Sequence, residues 1–292
     1  MRVTNKMMAD NITAQLFRQT KQMAETQEHI ITGKRINRAS DDPAGISSAL
    51  SYYETISSLE QYDNNIANGK LHIDIADDIL DMVTDLLGEA KEISFDSAPN
   101  LRTELAADVA EVREQVLQLA NHQIDGNYLF SGDATDTEPF SYDPVGLIWR
   151  YNGDSGTKDV IIGENMTVNL TADGSAIFGP DGGNVLDVLD ALESALTLPD
   201  PVAIKNQIAP LDSAMDRLNA IRARNAGVYK RLEATENHYA YFKINVEEML
   251  SKTEDADVAE AIINFKVQQT TYESTLATSS MILQKSLIDF LR

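Results

Sequence analysis

The chain has no cysteine. That excludes a disulfide framework and any Cys-based metal site. Aromatic residues are few, 7% against 43% hydrophobic residues overall, so the core must be largely aliphatic. Such a core suits long helices better than a tight globule. Proline is scarce at 8 residues, with none between Pro43 and Pro99 and none after Pro210. Long helices can run through those gaps. No stretch approaches the about 18 apolar residues of a membrane span, so membrane insertion is not expected. The first thirty residues hold no apolar run fit for a cleaved signal peptide. A cytosolic chain, or one exported without a Sec signal, is the expectation.

Basic charge is also scarce. Lys and Arg number 24 against 46 Asp and Glu, a formal charge of −22. Residues 1–50 carry +2, residues 251–292 carry −2, and residues 51–250 carry −22. An acidic middle argues against a nucleic-acid partner. The near-neutral ends can pack against copies of themselves at little electrostatic cost.

What is present is helical periodicity. In residues 4–32, Ile12, Leu16, Gln19, Met23, Thr26 and Ile30 are spaced alternately by four and three, a heptad seam with two polar positions. Such a seam is marginal without a partner. Residues 43–97 predict a helix of more than fifty residues, with Gly69 on its seam, where a neighbour could approach closely. Residues 101–129 predict a third helix after the breaker Ser97-Ala98-Pro99-Asn100. A return helix is expected over 202–250 and a last helix over 257–291. The seam of that last helix runs through Val258, Ile262, Phe265, Gln269, Tyr272, Leu276, Ser279, Leu283, Ser286 and Phe290. The acidic breaker Ser251–Asp257 precedes it, at a helix start where negative charge is favourable.

Two regions interrupt the rods. Between 131 and 201 lie nine of the fifteen glycines and five of the eight prolines. Leu147–Tyr151, Asp159–Ile162 and Met166–Leu170 are β-prone runs bounded by turn residues, and Val185–Leu196 is a short helix. This predicts a small β-rich insert held away from the rods. The other interruption is the joint between the first two helices. Gly33 has the freedom to end one helix. Asp41 or Asp42 can cap the next, with Pro43 in its first turn. Lys34, Arg35 and Arg38 add three positive charges there, expected to fix the joint against acidic side chains of the same or a neighbouring subunit.

The expected fold is mainly α: a long antiparallel helical bundle with paired N- and C-terminal helices and a small β-rich insert domain. The expected divisions are 1–42, an N-terminal assembly helix and joint; 43–130, the first part of a rod; 131–201, the insert; 202–250, the return helix; and 251–292, a C-terminal assembly helix.

No constellation for catalysis emerges. His29, His72, His122 and His238 fall in helix patterns without a second ligand at metal spacing, and are expected to be solvated. Gly179-Pro180-Asp181-Gly182-Gly183 lacks the lysine of a phosphate loop. Asp77-Asp78 and Glu247-Glu248 are expected to lie on solvated helix faces. Asp133, Asp136 and Glu138 lack calcium-loop spacing. No metal, cofactor or enzyme activity is expected. The sequence describes a building block.

Thr32-Gly33-Lys34-Arg35-Ile36-Asn37, followed by Ala39-Ser40-Asp41-Asp42-Pro43-Ala44-Gly45, resembles the N-terminal signature of bacterial flagellins and their relatives. Asn64, Asn65, Ala67, Asn68 and Gly69 resemble the segment that follows it, and Asp255–Glu260 resembles the family's C-terminal domain. The resemblance covers roughly residues 1–130 and 200–292. The opening Met1-Arg2-Val3-Thr4, the run Asp125-Gly126-Asn127-Tyr128-Leu129-Phe130-Ser131-Gly132 with Pro139-Phe140 and Tyr151–Asp154, and the ending Ser286–Leu291 look more like the hook–filament junction type than filament flagellin.

The resemblance implies a structural subunit outside the bacterial cell, exported unfolded by the flagellar type III apparatus. Its terminal helices would order on assembly. The implied partners are copies of itself, the hook-side junction protein, filament flagellin, and an export chaperone at the C-terminal helix. The alternatives are a filament flagellin or, in a different class, a surface adhesin or ligand-binding module. The last would use the insert, where Trp149, Tyr142 and Tyr151 form an aromatic cluster.

Overall fold

A computed structural model describes residues 5–95, 101–170, 173–198 and 201–290, without the side chains of 5, 6, 8 and 282–290. Long helices dominate: α1 (Asn5–Thr32), α2 (Pro43–Phe95), α3 (Arg102–Ala120), α7 (Ile208–Glu254) and α8 (Val258–Phe290). Between α3 and α7 lie three antiparallel strand pairs and three short helices. The chain forms two compact units, residues 1–58 with 241–292 and residues 59–240, and α2 and α7 contribute to both.

The helix limits follow local chemistry, with three departures from expectation. The third helix stops at Ala120 rather than 129. Asn121 turns the chain there, because its side chain accepts from Phe140 N at 2.9 Å and donates to Phe140 O at 2.9 Å. Asp125 (φ 52°) and Gly126 (φ 82°) then build a two-residue turn between β1 (Gln123–Ile124) and β2 (Asn127–Tyr128). Asp-Gly favours that left-handed pair of conformations. The return helix is broken into α6 (Pro201–Asn206) and α7 at Gln207. Pro210 has no N–H for the Asn206 carbonyl, and its ring crowds that turn. Finally, α7 continues through Glu254, so the breaker is only Asp255–Asp257. Ser97–Asn100 lies outside the described residues.

The larger unit holds a continuous core. Leu80, Val83 and Leu87 of α2, Val109, Val112 and Val116 of α3, and Leu211 and Leu218 of α7 are all buried in it. The insert enters this same core and is not held away from the rods. Phe130, Phe140 and Phe178 pack edge to face with centroids 5.2–5.4 Å apart. Helix α5 (Val185–Thr197) lays Leu186, Leu189, Leu192 and Leu196 into the core and packs along α3. Arg217 of α7 donates to the carbonyls of Ile177 and Phe178 at 3.0 and 2.9 Å, closing the end of α4 (Gly174–Phe178). A second cluster seats β5 (Asp159–Gly163) and β6 (Met166–Asn169) through Ile162 and Val168 on Ile66, Ile73 and Leu232. A Cβ placed on Gly69 would meet Leu232 at 3.4 Å and Leu170 at 3.5 Å, so this glycine does lie under close neighbours.

The remaining pair, β3 (Phe140–Asp143) with β4 (Ile148–Tyr151), is clamped along the free edge of β4. Trp149 N donates to Asp187, Tyr151 N donates to Asp181, and Asn184 Nδ2 donates to the Trp149 carbonyl, all at 2.8–2.9 Å. The Gly179–Gly183 loop and the start of α5 therefore cover a strand edge, which would otherwise present unpaired backbone groups. Tyr151 is tied inward as well: its hydroxyl donates toward Phe130 O and Asp154 O, and burial pushes its pKa up to about 12. The aromatic cluster is core structure at Tyr151 and Trp149, while Tyr142 stays exposed beside Trp149.

Scarce cations sit between acidic helices. Arg222 of α7 reaches Asp77 at 3.1 Å and Asp81 at 2.6 Å on α2; Lys70 meets Glu236 at 2.9 Å and Lys91 meets Asp212 at 2.5 Å. Arg113 of α3 joins Asp190 and Glu193 of α5. Asp77 is thus paired across an interface, not merely solvated. His72 also departs from expectation. It is half-buried beside Ala76, Leu80, Phe130, Leu170 and Asn225, and its Nε2 is buried without a partner among the described residues. Burial, helped by the charge of Lys158, pulls its pKa down to about 4. Its helical spacing marks a surface face only if no insert packs there, and Leu170 of the insert does.

Candidate assembly joint and terminal helix pair

The smaller unit is built differently. Among its described residues the buried apolar side chains are Ile36, Ala49, Val246 and Ala261. Full burial of an aliphatic side chain contributes about 1.5–3 kcal/mol, and ordering the backbone costs about 1–2 kcal/mol per residue. Only two of the four, Ile36 and Val246, are of that size, so among the described residues burial contributes little to the order of this unit. Its order is concentrated at the joint.

Gly33, at φ 70°, ends α1, and its N–H donates to His29 O at 2.9 Å. The chain then pairs with the α7–α8 turn. Arg35 N donates to Glu254 O at 2.6 Å and Ala256 N to Gly33 O at 2.9 Å, a single antiparallel bridge of Lys34 with Asp255. Asp41 accepts from the N–H groups of Asn37 and Arg38 at 3.2 and 2.9 Å, and the Arg38 N–H is the main cause of its lowered pKa. Asp42 caps α2 by accepting from Gly45 N at 2.9 Å, with Pro43 as the first helical residue. A Cβ on Gly45 would fall 2.5 Å from Asp42 Oδ2 and 2.6 Å from Ile36 Cδ1. No larger residue fits there without moving the cap.

The three cations all find partners within the chain. Arg35 donates to Thr253 O at 2.8 Å and lies 3.6 Å from Asp42. Arg38 reaches Glu28 at 2.9 Å. Lys34 meets Glu254 at 2.5 Å and donates to the Tyr53 hydroxyl at 2.8 Å. Tyr53 in turn donates to Glu254 at 2.7 Å. Glu254 is only 7% exposed. Its hydrogen bond to Lys34, followed by the one from Lys34 to Tyr53, raises the Lys34 pKa to about 12.

The sequence reading missed Glu254 and Tyr53. It placed the whole acidic breaker at a helix start, which holds for Asp257, whose carboxylate accepts from Glu260 N at 3.0 Å. Glu254 is the last residue of α7, where the helix dipole disfavours an acid. An acid at a helix C-terminus is the signal that a cation must reach it.

The pairing of α1 with α8 is present, with Gln19 Nε2 donating to Thr275 Oγ1 at 3.3 Å. Ile12, Leu16, Gln19, Met23, Thr26 and Ile30 are all half-buried along α1, and none is fully buried. On α8 the covered line matches the expected one only in part. Ala261, Phe265, Gln268, Tyr272, Thr275 and Ser279 are covered, while Val258, Ile262 and Leu276 are exposed, as are Ile263, Val267 and Met281. Of the expected seam, Phe265, Gln269, Tyr272 and Ser279 are covered; the side chains of Leu283, Ser286 and Phe290 lie outside the described residues. The inward line mixes Ala261, Phe265 and Tyr272 with Gln268, Thr275 and Ser279. On this line Thr275 and Ser279 each donate to the carbonyl four residues back, at 2.8 and 2.6 Å. Such hydroxyls can be covered at little desolvation cost, whereas Gln19 Oε1 and Gln268 Oε1 are buried without a partner among the described residues.

Comparison with known proteins gives this arrangement a family. Residues 3–135 match the bacterial flagellin N-terminal helical region and residues 208–291 the bacterial flagellin C-terminal helical region. The chain belongs to the bacterial flagellin family and is a structural subunit of the bacterial flagellum. It is 27% identical to a flagellar filament 30.7 kDa core protein of Treponema maltophilum, over 86% of this chain and 85% of that protein. It is 26% identical to flagellar hook-associated protein 3 of Escherichia coli, over 94% of this chain and 95% of that protein. Its fold is similar to that of FlgL from Bacillus cereus, with a TM-score of 0.60 and 18% identity over 69% of this chain and 99% of that one.

Proposed function

We propose that the chain is the junction subunit between hook and filament. Residues 1–42 and 251–292 act as assembly segments that order fully against neighbouring copies. Residues 43–130 and 202–250 supply the rod, and 131–201 the insert. The observation that carries this reading is the terminal helix pair. Its covered surface is thin and mixes apolar with polar residues, while six apolar residues of α8 between Val258 and Met281 face solvent. A helix with apolar residues outside its contact with α1 is suited to partners on several sides.

In this reading the assembly residues are Ile12, Leu16, Met23 and Ile30 of α1 and Val258, Ile262, Phe265, Tyr272, Leu276, Leu283 and Phe290 of α8. Gly33, Arg35, Arg38, Asp41, Asp42 and Pro43 fix the angle at which α1 leaves the joint. The partners are copies of the chain, the hook-side junction protein and filament flagellin. An export chaperone covers the apolar side of α8 until secretion. The protein works outside the cell, without enzymatic activity and without a cofactor. Similarity over nearly the full length of hook-associated protein 3 supports the junction, and similarity to filament core proteins makes filament flagellin the second reading.

A clean deletion separates the two. The junction role predicts cells that keep their hooks, lack filaments and release filament subunits into the medium. Normal filaments on the deletion strain, or antibody label along the whole filament, would contradict it.

A further inference from the structure

We infer that the β3–β4 hairpin tip of one subunit inserts into the groove between α2 and α3 of a neighbouring copy. The inference rests on the assembly role just proposed and adds a lateral contact made by the larger unit. The tip is Pro144-Val145-Gly146-Leu147. Val145 is 93% exposed and Leu147 is 70% exposed. Leu147 also holds φ 54°, a left-handed conformation that disfavours a bulky side chain. Glycine or asparagine would serve the turn better and would not place a large apolar group in water. Folding gains nothing from leucine here, so its use lies in contact with something else. The tip is also stiff. Asp143 accepts from Val145 N at 2.9 Å and pairs with Arg150 at 2.8 Å, holding the loop to both strands.

The receiving surface lies elsewhere on the same unit. Met82 and Leu86 of α2 and Leu119 of α3 line a groove of about 520 Å³, rimmed by Asp85, Gln115, Gln118 and His122. Clefts that bury a small organic body measure about 300–1,000 Å³, so two aliphatic side chains fit. Charge permits this contact. The α2–α3 surface is acidic, and an acidic loop would be repelled; residues 144–149 carry no charge, and Arg150 neutralises Asp143 at the base. Tip and groove are different patches, so the contact is head-to-tail. Each subunit gives one tip and receives another, which propagates around a ring or helix and does not close as a dimer.

The lack of native cysteine makes a disulfide test clean. Val145→Cys and Met82→Cys sit at exposed positions where folding tolerates them. The double variant, as the sole copy in flagella isolated from cells, should give a ladder of disulfide-linked oligomers on mild oxidation. Each single variant should stay monomeric, and an equimolar mixture of the two singles, as concentrated full-length protein, should give a dimer and nothing larger. If antibody places the double variant at the junction but it remains monomeric, the contact is wrong. Equal dimerisation of Val145→Cys alone, or linkage to a different flagellar protein, overturns it as well. Absence of antibody label at the junction rejects the assembly role instead. The concentrated mixture of the two single variants then decides the contact alone: a dimer sustains it and monomer overturns it.

Discussion

Replacing Lys34 with methionine should loosen the joint by about 2 kcal/mol. Breaking a buried ion pair by removing one partner costs about 3–5 kcal/mol, because the remaining charge is stranded. The stranded group here would be Glu254, 7% exposed. Two features lower the figure. The Lys34 side chain is 40% exposed, so water already screens the pair, and the Tyr53 hydroxyl still reaches Glu254. Glu254→Gln should cost less than Lys34→Met, since a lysine left alone there can turn to solvent. The double variant should be milder than the sum of the singles. The readout is the exchange of the Arg35 and Ala256 amides, which bond across the joint to Glu254 O and Gly33 O. Additive losses would mean that the pair does not couple the two segments. The pH sign follows from the raised pKa. The contribution is complete below 10.5, the ordinary lysine value, and is lost as pH rises toward about 12.

Acid should weaken the larger unit through His72. Its pKa is about 4 in the fold and 6.5 when exposed, so between those values the unfolded chain binds more protons. Stability is complete above pH 6.5 and falls as pH drops toward 4. At 1.36 kcal/mol per pKa unit this loss is about 3 kcal/mol. His72→Leu should remove this part of the acid limb in denaturation followed by Trp149 fluorescence, while Lys158→Met should keep most of it, since burial is the larger cause. An acid limb unchanged in His72→Leu would show that the imidazole is not held neutral by its surroundings.

The elements legible in sequence were those whose cause is local. The α1 seam from Ile12 to Ile30 is half-buried throughout because a 3.5-residue repeat selects one face. Gly33, Asp42 and Pro43 end and start helices as their backbone chemistry dictates. What escaped reading depends on distant partners. On α8 the apolar residues surround the helix, so periodicity picks a line through Val258, Ile262 and Leu276, whereas the covered line runs through Ala261, Phe265, Gln268, Tyr272 and Thr275. Glu254 needs Lys34, which lies 220 residues earlier in the chain. Docking of the insert rests on Phe130, Phe140 and Phe178, and nothing in their neighbouring residues says which core they enter. His72 was misjudged for the same reason: Leu170, which helps to bury it, comes from the insert.

The central claim is that the joint is built into the single chain while the helices it carries are completed by neighbours. Amide hydrogen exchange on the soluble monomer and on isolated flagella tests it directly. In the monomer, the Arg35 and Ala256 amides should be protected, while most of residues 5–32 and 258–290 should exchange quickly, as expected for a unit with so few buried side chains. In flagella, both terminal helices should become strongly protected. Strong protection throughout α1 and α8 in the monomer, unchanged on assembly, would contradict the account.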